Sequence, residues 1–250
     1  MGVFTAKKQE IRNREELVLE VARSLFLKRG YHGLTMARIA KAADCSKATV
    51  YQHFSCKEEI IIALSVRSVN SQHALIERAA TFRGRPRERM LAVGVATLVF
   101  SRLNPDDARF FQIVGGEAIT QKVSEVSIWQ LRTAGLRTVN VMLGILRDAV
   151  AQGDLTLAPG HRPEDLIYNF WVLGEGGKGA QSSWLAPADW GISDPFGTIL
   201  RTSHILADGY GWRPLSTEWD YEESARRIWR EVLPNEHRAV FGRPPDTTVA

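Results

Sequence analysis

Cysteine is nearly absent: Cys45 and Cys56 are the only two in 250 residues. They are too few and too close to staple a secreted framework, and neither belongs to a metal-ligand spacing. The six histidines, His32, His53, His73, His161, His204 and His237, are scattered with no His-x-x-x-His pair. There is no Gly-x-Ser-x-Gly elbow either, so zinc hydrolysis and serine nucleophilic catalysis both lack their constellation. The glycine-rich GEGGKGA at 174–180 fails as a phosphate loop: it lacks the Walker spacing, the Ser or Thr after the lysine, and a preceding strand. The longest apolar run, LAVGVATLVF from Leu91 to Phe100, is half the length that a bilayer-crossing helix of about 20 residues requires. Lys7 and Lys8 are followed by the charged IRNREE, where a signal peptide would be apolar. These absences point to a soluble cytoplasmic protein with no membrane association, no enzymatic role, no cofactor and no metal.

Charge is present but unevenly placed. Lys and Arg number 32 against 28 Asp and Glu. Residues 1–60 hold 11 bases and 7 acids, so the whole excess of +4 lies there and the remainder balances. Between Val21 and Lys57 the bases are Arg23, Lys28, Arg29, Arg38, Lys41, Lys47 and Lys57, with Asp44 the sole acid. Such a cluster is the electrostatic footprint that phosphate backbones select.

Apolar periodicity predicts helices throughout. Leu17, Val18, Val21, Ala22, Leu25 and Phe26 mark a first helix, stopped at KRGYHG by Gly30 and Gly33. Met36, Ile39, Ala40 and Ala43 mark a second, capped by Thr35. Ser46 caps a third that buries Val50 and Phe54, and the turn between them runs through Asp44 and Cys45. A fourth starts near Lys57. Further helices begin near Glu88, at NPDD from Asn104, at Ser124 (ending at Gly153), at Pro163, near Phe196 and at Tyr221. The expected fold class is all-α: a three-helix DNA-binding unit at 1–60, with its helix-turn-helix at 35–54, a larger charge-balanced helical domain at 61–234, and a frayed tail at 235–250.

Helices of about eight residues are marginal alone, so the second and third must pack on the first through Met36, Ile39, Val50 and Phe54. Packing in that way turns Lys47, Thr49, Gln52 and His53 outward, with Ser46 and Ala48 near the helix start. Hydroxyls, an amide and an imidazole on a short helix amid bases suit base edges in a DNA major groove. Arg38, Lys57 and the helix N-termini would grip phosphates. A plain helical hairpin packed inside a larger protein would show the same geometry without the charge cluster. A palindromic operator requires two such heads about 34 Å apart, hence a homodimer.

At Thr35, Ile39, Ala40, Ala43, Ser46, Thr49, Tyr51, Phe54, Lys57, Glu58 and Glu59 the chain resembles the TetR family of bacterial transcriptional regulators over about residues 12–60. The resemblance implies that Thr35, Arg38, Ser46, Lys47, Thr49, Tyr51, His53 and Lys57 lie in or beside the DNA contacts, with Tyr51 and Lys57 mainly on phosphates. Ala48 and Gln52 complete the candidate surface. Three departures stand out. Asp44 replaces a Gly at a position that favours positive φ, Cys45 replaces a small aliphatic, and Cys56 replaces the capping Ser, leaving Ser55 and Glu58 as a shifted capping box.

The resemblance further implies that the second domain binds a small effector and dimerises through its last two core helices. Pro163 to Ser182 and Pro195 to Tyr210 are the candidates for that bundle, and Gly174, Gly176, Gly177 and Gly179 would either admit close helix approach or end the helix. Phe110, Trp129, Tyr168 and Trp171 are the candidate lining of an apolar effector pocket, although aromatics at helical spacing more often form core. The function expected is a ligand-responsive repressor that leaves its operator when a small apolar or aromatic effector binds. Two alternatives stand beside it: a helical small-molecule-binding protein whose N-terminal unit no longer reads DNA, and a redox switch at Cys45 or Cys56.

Overall fold

The computed structural model describes residues 2–114, 117–181 and 183–245. Among them are twelve α-helices, one short 3₁₀ turn at Pro187–Trp190 and no strand. The helices are α1 (Gly2–Gly33), α2 (Met36–Ala42), α3 (Lys47–His53), α4 (Lys57–Ala80), α5 (Pro86–Leu103), α6 (Asp107–Val114), α7 (Glu117–Thr120), α8 (Glu125–Ala151), α9 (Pro163–Gln181), α10 (Pro195–Gly209), α11 (Tyr221–Glu231) and α12 (Pro234–Phe241). The all-α expectation is correct.

Two compact units form, one of Met1–Val69 with Asp106–Ala134, the other of Asn70–Pro105 with Gly135–Ala250. The expected division at residue 60 therefore does not match the packing. α4 continues past it without a break, and the segment 106–134 joins the N-terminal unit.

In that N-terminal unit the short helices start where the sequence says they should. Thr35, in an extended conformation, accepts the Arg38 amide through its side chain, and Ser46 does the same for Thr49. Each helix has only seven residues, so tertiary burial holds it. Ile39 and Val50 are fully buried and pack with Val18, Phe26, Leu34, Phe54, Ile60, Ile61 and Leu64. Leu17, expected on the inward stripe, is instead 43% exposed. Phe26 stacks on Phe110 with ring centroids 4.7 Å apart. Truncating either ring would cost about 3–5 kcal/mol. Asp107, at the start of α6, accepts from Arg23 at 3.1 Å and from Ser68 at 2.7 Å.

The second unit buries α5 on nearly every side, including Arg87 and Glu88. The Arg87 guanidinium pairs with Asp208 at 2.6 Å and donates to the carbonyls of Trp212, Pro214 and His204. Glu88 accepts from Ser224 on α11 at 2.8 Å. α5 is thus tied to α10 and α11 by charge-assisted bonds from both terminal nitrogens of Arg87 and at Glu88, while the Arg87 Nε stays buried without a partner among the described residues. The glycines of α9 do not end the helix, which runs on to Gln181; Ser182 lies outside the described residues. A Cβ on Gly177 would lie 2.1 Å from Ile199 Cδ1, so the close-approach alternative holds there, between α9 and α10.

The expected frayed tail is wrong for its first part. Residues 234–241 form α12 behind a fully buried Leu233, with the Trp229 ring meeting His237 at 5.2 Å and Phe241 at 5.7 Å. The polar, proline-rich composition hid a helix that starts at Pro234 and stops at Gly242, a left-handed C-cap. Residues 246–250 of the expected tail lie outside the described residues.

Candidate nucleic-acid interface

The N-terminal unit presents the ends of α2, α3 and α4 around one shallow groove of about 380 Å³, whose lining includes Thr35, Lys47, Tyr51, Ser55, Cys56 and Lys57. Four of the expected contact residues are therefore brought together. On α3 the side chains of Lys47, Ala48, Tyr51 and Gln52 are exposed, while Thr49 and His53 are half-buried. Tyr51 is 53% exposed, far more than a phenol needs for packing. Val50 alone of that helix is fully inward.

The hydroxyls at the start of α3 bond to each other. Ser46 Oγ lies 2.9 Å from Thr49 Oγ1 and accepts the Thr49 amide at 3.0 Å. Arg38 is exposed and donates from Nη1 to the Gly33 carbonyl at 2.8 Å, which fixes where its remaining donors can reach. Lys57 donates to the Tyr31 carbonyl at 3.0 Å, and its ammonium sits 3.8 Å from the Tyr31 ring centroid.

The turn between α2 and α3 takes the backbone shape that the sequence demands. Asp44 has φ of 48°, the one non-glycine residue with positive φ among those described. It is exposed, and the following Cys45 amide donates to the Ala40 carbonyl at 3.0 Å. Asp44 thus supports the positive-φ turn that a glycine would adopt more freely.

The expected capping box of Ser55 with Glu58 is not what α4 starts with. The Ser55 amide donates to Glu59 at 3.4 Å, not to Glu58. Glu58 is 4% exposed and accepts the Tyr31 hydroxyl at 2.7 Å, with Lys122 at 3.5 Å. Burial pushes the Glu58 carboxyl up, but bonds from Tyr31, the backbone and Cys56, together with the Lys122 charge, outweigh it and hold the group below its usual range. Burial and that carboxylate raise the Tyr31 phenol to about 12. Glu59 also accepts the Ser124 amide at 3.1 Å. Tyr31 and Lys122 were missed in the sequence; the only signal was the aromatic directly after Gly30 in KRGYHG.

The four candidate pocket residues are divided between the two units. Phe110 is 1% exposed in the core of the N-terminal unit, stacked on Phe26, so its assignment to an effector pocket in the second domain is corrected. Trp129 belongs to the same unit and is 65% exposed. Tyr168 and Trp171 neighbour each other on α9 of the other unit, 5.9 Å between ring centroids and more than half exposed. Helical spacing placed all four near apolar neighbours without telling an inward face from an outward one. Among the described residues no helix is long and apolar enough to cross a membrane, and no three His, Cys, Asp or Glu gather as metal ligands.

A capped pair of seven-residue helices, a tight turn and an exposed cationic face make up a helix-turn-helix unit. Residues 18–64 match the model of the bacterial regulatory proteins of the tetR family. Over 52 residues the chain is 36% identical to the HTH-type transcriptional regulator QacR of Staphylococcus aureus, covering 21% of this chain and 28% of that protein. It is 37% identical over 65 residues to the transcriptional repressor AcnR of Corynebacterium efficiens, covering 26% and 34%. Over 79 residues it is 35% identical to the transcriptional activator FasR of Mycolicibacterium smegmatis, covering 32% and 36%. The chain thus spans about a third of the length of these relatives.

Solved structures share the fold over much more of the chain. A tetR-family regulatory protein from Rhodococcus RHA1 superposes with a TM-score of 0.59 at 22% identity, covering 80% of this chain and 97% of that one. FadR of Bacillus subtilis, in complex with stearoyl-CoA, gives 0.60 at 15%, covering 78% and 98%. The chain is thus similar to the tetR family of bacterial regulatory proteins in sequence over residues 18–64 and shares the fold of solved tetR-family structures over most of its length.

Proposed function

We propose that the chain is a cytoplasmic repressor that binds palindromic operator DNA as a homodimer through the helix-turn-helix of its N-terminal unit and releases it when a small apolar or aromatic effector binds the second unit. The observation that carries this reading is the exposed face of α3. Lys47, Ala48, Tyr51 and Gln52 point away from the core beside a groove shared with Thr35 and Lys57, and Asp44 is the one acid between Val21 and Lys57. Arg38, Lys57 and Tyr51 are assigned to phosphates. Lys47, Ala48, Gln52 and His53 are assigned to base edges, and Thr35, Ser46 and Thr49 to shaping the helix starts. The retained turn at Asp44 favours this over a protein that has lost DNA reading.

Dimerisation is supported by α9 and α10, which pack on each other and leave Tyr168, Trp171 and Ile205 61%, 53% and 69% exposed. Apolar surface of that kind usually marks an interface, so Tyr168 and Trp171 are reassigned to it from the effector pocket. The apolar core of the second unit, and the acyl ligand named for the FadR neighbour, support an apolar effector. AcnR's description as a repressor supports the direction of control.

Titrating the purified protein onto the DNA upstream of its own gene tests the reading. Affinity should fall steeply with salt, and deleting the gene should raise expression of its target. No binding in dilute buffer refutes DNA reading; lowered expression on deletion refutes repression.

A further inference from the structure

Tyr31 lies beside one of the groove's two lysines and next to the buried acid at the start of α4. α1 breaks at Gly30, where φ of 67° and ψ of −177° depart from helical values. That break needs glycine, since side-chain-bearing residues rarely adopt it. Tyr31 then meets Lys57 in two ways. Its carbonyl accepts the ammonium at 3.0 Å, and its ring lies 3.8 Å below the same nitrogen. The hydroxyl, at the other end of the ring, donates to Glu58 at 2.7 Å. Glu58 is backed by Lys122 at 3.5 Å and stays ionised. The ring is therefore anchored at its far edge while its face and carbonyl hold the lysine. An ammonium has three donors, and the Tyr31 carbonyl takes one of the three on Lys57.

We propose that Tyr31 is a positioning residue for DNA binding: it fixes the Lys57 ammonium at the rim of the groove before a phosphate arrives. A free lysine must be immobilised when it grips a phosphate, and the ordering lowers affinity. Here the folded protein has already ordered it. Removing the ring should weaken DNA binding about fivefold, the scale set by immobilising one long side chain. The inference rests on the DNA-binding reading above. A purely structural role for Tyr31 would weaken binding equally whether or not Lys57 is present.

The test is a double-mutant cycle on the full chain, using a fluorescent duplex from upstream of its own gene and anisotropy at several salt concentrations. Lys57→Met should lower the salt slope by about 0.9, the signature of one lost phosphate contact. Tyr31→Leu should weaken binding about fivefold with the slope unchanged, and should have almost no further effect in the Lys57→Met background. Tyr31→Phe, which keeps the ring and carbonyl, should recover most of the loss. Equal losses from Tyr31→Leu in both backgrounds, or tighter binding by Tyr31→Leu alone, overturn the proposal. Should Tyr31→Leu fail to fold, the Lys57 ε-methylene protons of the wild-type protein decide: a ring-current shift supports the contact, and an unshifted resonance overturns it. A wild-type protein that ignores the duplex fails the DNA-binding reading itself, an outcome distinct from binding without Tyr31–Lys57 coupling.

Discussion

Asp44 is both strained and wrongly charged for its place, and the two effects can be separated by substitution. Its φ of 48° lies in the left-handed region, which costs an L-residue about 1–2 kcal/mol, with Asp and Asn at the low end. Replacing Asp44 by Gly removes that strain but loosens the unfolded chain, which returns about 0.4–1 kcal/mol. The expected net gain in stability is between zero and about 1 kcal/mol. The carboxylate is also exposed at the turn between the two helices of the reading motif. Within a screening length of about 8 Å at physiological salt it repels phosphates, and an exposed charge interaction is worth about 0.2–1 kcal/mol. Asp44→Asn removes the charge and keeps the tolerance for positive φ. Both variants should therefore tighten DNA binding about two- to fivefold at moderate salt, converging on the wild type as salt rises, while only Asp44→Gly gains stability. Anisotropy titrations and urea denaturation measure the two quantities. An unchanged affinity for Asp44→Asn at low salt refutes the electrostatic argument, and a less stable Asp44→Gly refutes the strain argument.

Arg87→Met should destabilise the second unit by about 3–5 kcal/mol, because it leaves Asp208 with only its Ser216 donors and strips three carbonyls of theirs, and the urea midpoint should fall accordingly. His204 is pushed down to about 4 by burial and the neighbouring Arg87 charge, so the unfolded chain binds its proton first. Stability should be complete above about pH 6.5 and decline as pH falls toward 4, by about 1–2 kcal/mol after allowing for partial exposure; His204→Gln should flatten that part of the profile. Gly176 is exposed with no atom within 4 Å of an added Cβ, whereas Gly177 faces Ile199. Gly176→Ala should stabilise α9 by about 0.5–1 kcal/mol, and Gly177→Ala should be at least about 1 kcal/mol less stable than it, read from thermal melts.

Local signals carried much of the architecture. Thr35, Ser46, Pro163 and Gly153 end or start helices within two residues of where their chemistry places them, since caps and breakers act on adjacent backbone. Of the outward set expected on α3, Lys47 and Gln52 are exposed, while Thr49 and His53 are half-buried. What escaped depends on contacts distant in sequence. Phe110 reads as a pocket aromatic until Phe26 is seen stacked on it. Glu58 reads as a cap until Tyr31 and Lys122 claim it. α12 reads as a tail because its apolar partners lie on α11. Periodicity reports that a residue has an inward face, not which core receives it.

The seven-residue α3 anchors itself through Val50 and through the Ser46 cap, and its outward Lys47, Ala48 and Gln52 contribute to neither. Those three letters can therefore be exchanged with little penalty to folding, and under the DNA-binding reading proposed above such exchanges would change the preferred operator while leaving stability alone.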